Sequence, residues 1–118
     1  MKKIFLPIIL AVSIWSCTKD ADNMYDNCAP EAVSFQNDIK PILQANCTQS
    51  ICHGASSTSN NIKLDTHANL KSTTTGAKII GAINHNDGFE PMPKAAGKLA
   101  ACDIESIEVW FSEGALDN

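Results

Sequence analysis

Seven residues constrain this chain more than any others: Cys47-Thr48-Gln49-Ser50-Ile51-Cys52-His53. Two cysteines are followed at once by a histidine. Each thiol can add to a vinyl group to give a thioether, and an imidazole beside the second cysteine can reach a metal set between them. The order therefore suits covalent attachment of a haem. The usual interval between such cysteines is two residues, and here it is four. The pair Cys52-His53 keeps its usual adjacency, and the two extra residues fit as a bulge between the sulfurs. A Cys47–Cys52 disulfide, half of a zinc site and chance placement are the other readings of the same heptapeptide.

The start of the chain sets the compartment. Lys2 and Lys3 precede an apolar run from Ile4 to Trp15 that is too short to span a bilayer as a helix, so residues 1–16 read as an export signal. The run ends at Ser16-Cys17 before the polar Thr18-Lys19-Asp20. That junction resembles a bacterial lipobox, in which Cys17 becomes the lipidated first residue. An ordinary secretion signal with a stray cysteine is the alternative. Either way the mature chain is expected outside the cytoplasm, where thiols oxidise. The lipobox reading adds a lipid anchor holding it to a membrane, on the periplasmic or cell-surface side. Residues 17–30 carry Asp20, Asp22 and Asp26 and read as a polar tether, leaving 31–118 as the folded domain.

Charge narrows the partners. The net charge is -4; with Lys2 and Lys3 set aside, seven of the nine basic residues remain against thirteen acidic ones, and none is arginine. No basic patch is available to hold phosphates, so a nucleic-acid partner is not expected. A basic partner protein would be drawn in. A domain of about 100 residues has a small core and leans on a crosslink or a cofactor.

Along the domain, Ile39, Ile42, Leu43 and Cys47 share one helical face, with Asn37 or Asp38 as the cap and Pro41 confined to the first turn. A polar loop, 54–61, leads to an extended Ile62-Lys63-Leu64 and a short turn of helix capped by Thr66. Ser72 to Gly76 reads as a loop ending in a cap, with a helix from Ala77 to Ile83. Met92 stands between Pro91 and Pro93, which stiffen the backbone under a thioether. A final helix from about Ala101 to Ser112 carries Ile104, Ile107, Trp110 and Phe111 inward, and Gly114 stops it. Asp117-Asn118 reads as a frayed end, and His67 and His85 as surface residues. Met92 could equally be a core-filling side chain, and His85 a rival metal ligand.

From Phe35 to Ala115 the features, in this order, resemble the monohaem cytochrome c fold, nearest to a bacterial subgroup of small exported domains. The residues that carry the resemblance are Phe35-x3-Ile39-Lys40-Pro41-Ile42-Leu43-x2-Asn46-Cys47, Cys52-His53-Gly54, Leu64-Asp65, Met92-Pro93, and Leu99-x4-Ile104-x2-Ile107-x2-Trp110-x3-Gly114-Ala115. The segment after Met92 has one proline where the subgroup often has two. The resemblance implies an all-α fold of three or four short helices around one covalent haem c. It implies thioethers at Cys47 and Cys52, iron ligation by His53 and Met92, and electron transfer to a redox partner protein rather than catalysis. It also brings the terminal helices together, so that Cys28 and Cys102 could pair. Without haem, the four cysteines other than Cys17 allow three pairings. Two other functions compete: a non-redox, disulfide-stapled surface lipoprotein, and a haem enzyme or sensor with an open site.

Overall fold

The computed structural model describes residues 28, 31–49, 51–56 and 59–118. The export signal, Cys17 and most of the tether lie outside the described residues. The described residues form helices and turns with no strand among them, in keeping with an all-α fold.

The first helix begins earlier than its sequence suggests. Ser34, not Asn37 or Asp38, is the cap: its Oγ accepts the Asn37 N–H at 3.2 Å, while the Asp38 carboxylate accepts the Ser34 N–H at 2.8 Å. The reciprocal bonds satisfy donors that a bare helix start would leave open. A wide π-type turn, Phe35–Ile39, follows and runs directly into α1, Lys40–Asn46. Pro41 falls at the start of the regular helix, where a missing N–H costs little. The wide turn absorbs the mismatch that Pro41 would create in an unbroken helix.

Three more helices complete the domain: α2, His67–Leu70; α3, Thr73–Ile83; and α4, Ala101–Ser112. Thr66 caps α2 as expected. α3 starts four residues before the expected Ala77, because Ser72 Oγ accepts the Thr75 N–H and Gly76 lies inside the helix. The Phe111 ring packs where a Gly76 side chain would be, 2.8 Å from a Cβ built there. That close approach sets α3 against α4. The Phe35–Ile39 turn packs on the other flank of α4.

The core gathers on this frame. Phe35, Ile39, Leu43, Leu64, Leu70, Ile79, Ile83, Ile104, Ile107 and Trp110 are all buried, and Trp110 and Ile39 are fully excluded from solvent. Trp110 lies 5.6 Å from the Phe35 ring and 4.9 Å from that of Phe111, between centroids, and its Nε1–H donates to the Leu116 carbonyl at 2.9 Å. A buried indole thus keeps its polar handle satisfied.

The far end of the chain is clamped, not frayed. α4 stops at Gly114, whose φ is 95°, with the Ala115 N–H on the Trp110 carbonyl at 2.9 Å and the Gly114 N–H on that of Phe111 at 3.2 Å. This is the paired closure of a helix that ends on a left-handed residue. Residues 115–118 then turn back onto the first helix. The Asn118 carbonyl accepts from Ser34 Oγ at 2.7 Å and from the Gln36 N–H at 3.0 Å, and Asn118 Oδ1 accepts from the Phe35 N–H at 2.9 Å. These bonds satisfy the donors that the wide turn leaves open.

His67 belongs to this clamp and is no surface residue. Its Nε2–H donates to the Ala115 carbonyl at 2.8 Å, its Nδ1 lies 3.7 Å from the Asp117 carboxylate, and its ring meets Phe35 edge-on at 5.1 Å. Cys28 and Cys102 are joined in a disulfide with their Cα atoms 5.2 Å apart. Glu105 of α4 and Glu113, which caps it, accept backbone N–H groups of Cys28 and Val33, holding the entering chain along the same helix.

Candidate functional site

The Cys47–His53 segment leaves α1 as a closed loop. The Cys47 and Thr48 N–H groups both donate to the Leu43 carbonyl, at 2.7 and 2.9 Å, which ends the helix. The Cys52 N–H then bonds the Gln49 carbonyl at 2.8 Å, and the His53 N–H bonds that of Cys47 at 2.9 Å. The second bond brings the two ends of the heptapeptide together. Gly54 is required by this closure. A Cβ there would lie 2.8 Å from the Thr48 carbonyl oxygen, so the glycine serves the loop's own backbone.

Both cysteines of the loop are thiols rather than a disulfide. Cys47 packs against the core. Burial, and then the neighbouring Cys52, push its thiol up to about 11. Among the described residues no three His, Cys, Asp or Glu side chains converge as a metal cage. The two sulfurs and the His53 ring are therefore chain neighbours without a common focus for a small ion.

His53 is oriented by a partner that sequence reasoning missed. Its Nδ1 lies 2.9 Å from the Ile62 carbonyl. A carbonyl only accepts, so Nδ1 donates, and in the neutral ring Nε2 keeps its lone pair. The His53 carbonyl in turn accepts the Leu64 N–H at 2.8 Å, so the extended stretch 62–64 grips the residue by ring and backbone. A second-sphere bond of this kind fixes tautomer and ring direction for a metal-binding imidazole. The alternation of Ile62 and Leu64 marked the stretch as extended, but a backbone carbonyl leaves no trace in residue identity.

Met92 comes from a separate segment, folded against the end of α3. Its N–H donates to the Ala82 carbonyl at 3.0 Å, and its peptide to Pro93 is cis. α3 closes as α4 does: the His85 N–H bonds the Ala82 carbonyl at 3.2 Å and the Asn86 N–H that of Gly81 at 2.9 Å. The residue at the left-handed position, however, is His85, with a φ of 56°, and not a glycine. Holding a side chain there costs roughly 1 kcal/mol relative to glycine. The His85 ring reaches forward to the Met92 carbonyl, with Nε2 at 3.1 Å. Phe89, between them in sequence, covers Gly81 so closely that a Cβ would fall 2.5 Å from its ring.

A polar cleft of about 410 Å³ opens beside Ile62, with Asn60, Asn61, Lys63, Ser72, Thr75 and Lys78 on its walls. Neither lysine is in an ion pair among the described residues. Compared with protein-family models, curated proteins and solved structures, the chain gives no match.

Proposed function

We propose that this chain is an exported, lipid-anchored c-type monohaem domain that carries single electrons to and from a partner protein. The observation that carries the reading is the His53 Nδ1–Ile62 bond within the Cys-x4-Cys-His loop, which leaves Nε2 as the ligating nitrogen. The donor set fits a haem better than a bare ion, because the sulfurs of Cys47 and Cys52 need to meet a ring edge and only His53 needs to meet the iron. Cys47 and Cys52 would hold the group by thioethers, and His53 and Met92 would be the residues that ligate its iron. Bound there, haem would supply reversible one-electron chemistry at iron. The chain's own part is to fix the His53 tautomer, to hold the Met92 backbone against α3, and to shield one side with the apolar core. Lys63 and Lys78 offer positive charge to carboxylates on the cleft side. The acidic balance of the chain favours a basic redox partner.

The test is to produce the chain with a haem-attachment system. Denatured protein should keep one haem by mass and be red when native. Met92→Ala should abolish the near-infrared sulfur-to-iron band of the oxidised protein and lower its potential, with both thioethers retained. Haem that is wholly extracted by acid and acetone refutes attachment. A colourless protein with a Cys47–Cys52 disulfide returns the chain to the stapled, non-redox reading. An unchanged spectrum in Met92→Ala removes Met92 from the iron.

A further inference from the structure

We infer that His85 is a positioning residue that holds Met92 for its ligand role. The inference rests on the reading above. Two observations carry it. The ring nitrogen Nε2 faces the Met92 carbonyl at 3.1 Å. Because a carbonyl only accepts, that nitrogen donates and is committed to the tether. Second, His85 occupies the left-handed closing position of α3, at a φ of 56°, where glycine is the relaxed choice. A side chain there costs backbone energy, and the one present reaches the Met92 carbonyl.

The bond completes a frame around one residue. The Met92 N–H is held by the Ala82 carbonyl and the Met92 C=O by His85, so both faces of its backbone are tied to the last turn of α3. A neutral thioether binds iron weakly and depends on being held in place. His85 therefore acts on the sulfur through the Met92 main chain, and touches neither sulfur nor iron.

The test uses the full chain and two substitutions. His85→Gly relaxes the backbone and deletes the ring. Stability to urea is then expected at or above wild type, while the sulfur-to-iron band weakens, the midpoint potential falls and reduced iron binds carbon monoxide. His85→Gln, whose Nε2 amide can reach the same carbonyl, is expected to restore the band. An unchanged band and potential in His85→Gly, with haem still attached, overturn the positioning role and leave haem attachment standing. So does a bis-histidine spectrum of the wild type that His85→Gly removes. In haem-free protein the same tether is read through the bond next to it: with the His85 bond to the Met92 carbonyl gone, the Met92 N–H should open from the Ala82 carbonyl more readily and its exchange quicken about fivefold in His85→Gly, the weight of one ordinary hydrogen bond. Exchange at the wild-type rate overturns the inference whether or not a haem binds.

Discussion

Gly54→Ala isolates the closure of the Cys47–His53 loop in a single methyl group. The new Cβ would lie 2.8 Å from the Thr48 carbonyl oxygen, about 0.6 Å inside the 3.4 Å at which ordinary contact begins. The obstacle is backbone, so no side chain can swing away. The loop has to open, and the bond it strains first is the one from the His53 N–H to the Cys47 carbonyl, now 2.9 Å. Overpacking of this kind costs about 1–3 kcal/mol. Gly97 supplies the internal control, since a Cβ there meets nothing within 4 Å. Gly97→Ala should be neutral or gain about 0.4–1 kcal/mol through the unfolded chain. Urea unfolding of both variants reads the difference as a fall in midpoint at constant slope, with Gly54→Ala the less stable by at least about 1 kcal/mol. Equal midpoints for the two variants would refute the claim that the glycine is needed by its own loop.

Three further outcomes are expected. Replacing Cys28 and Cys102 with serine should lower stability by up to about 4 kcal/mol, the chain-entropy bound for a 74-residue separation, and a loss under about 0.5 kcal/mol would show that the staple adds nothing. In haem-free protein Cys47 should alkylate about 100-fold more slowly near pH 8 than an unperturbed thiol, because its pKa is raised from 9.0 to about 11. The thiol is neutral when folded, so its contribution to stability is full below pH 9.0 and is lost as the pH climbs to about 11; stability that is flat across that window contradicts the burial. Trp110→Ala should cost about 3–5 kcal/mol by calorimetry or urea, while Asn118→Ala should cost about 1 kcal/mol by removing one side-chain bond to the first helix.

Local rules carried the sequence a long way here. The Thr66 cap, the stop at Gly114, the inward face of α4 and the burial of Trp110 all follow from spacing and residue type, and all are present. The union of Cys28 with Cys102 matched what the resemblance implied. Two of the departures share a cause, which is bonding between residues distant in the chain. His67 reads as a polar turn residue until Ala115 and Asp117 arrive from 48 and 50 positions away. The 115–118 segment reads as a loose end because its partners, the Phe35 and Gln36 N–H groups and the side chains of Ser34 and Gln36, lie some 80 positions away. The early start of the first helix was hidden by Pro41, which argues against helix on its N-terminal side unless a wide turn is allowed for. At the candidate site the sequence named His53 and Met92 but not the bonds around them: the Ile62 and Met92 carbonyls, which orient His53 and engage His85, are invisible to any pattern of side chains.

The Cys28–Cys102 bond also decides where mechanical load travels. A pull on the chain ahead of residue 28 meets α4 through one covalent step, before it reaches the wide turn or the loop that follows α1. Tension is then borne by the helix that carries Trp110, a side chain fully excluded from solvent. With the sulfurs reduced, the same pull would fall on the Val33 and Ser34 hydrogen bonds and peel the first helix from its N-terminal end, dragging Cys47 with it. The disulfide thus acts as a strain relief for any pull on the leading segment, and the Cys47–His53 loop hangs on the slack side of it.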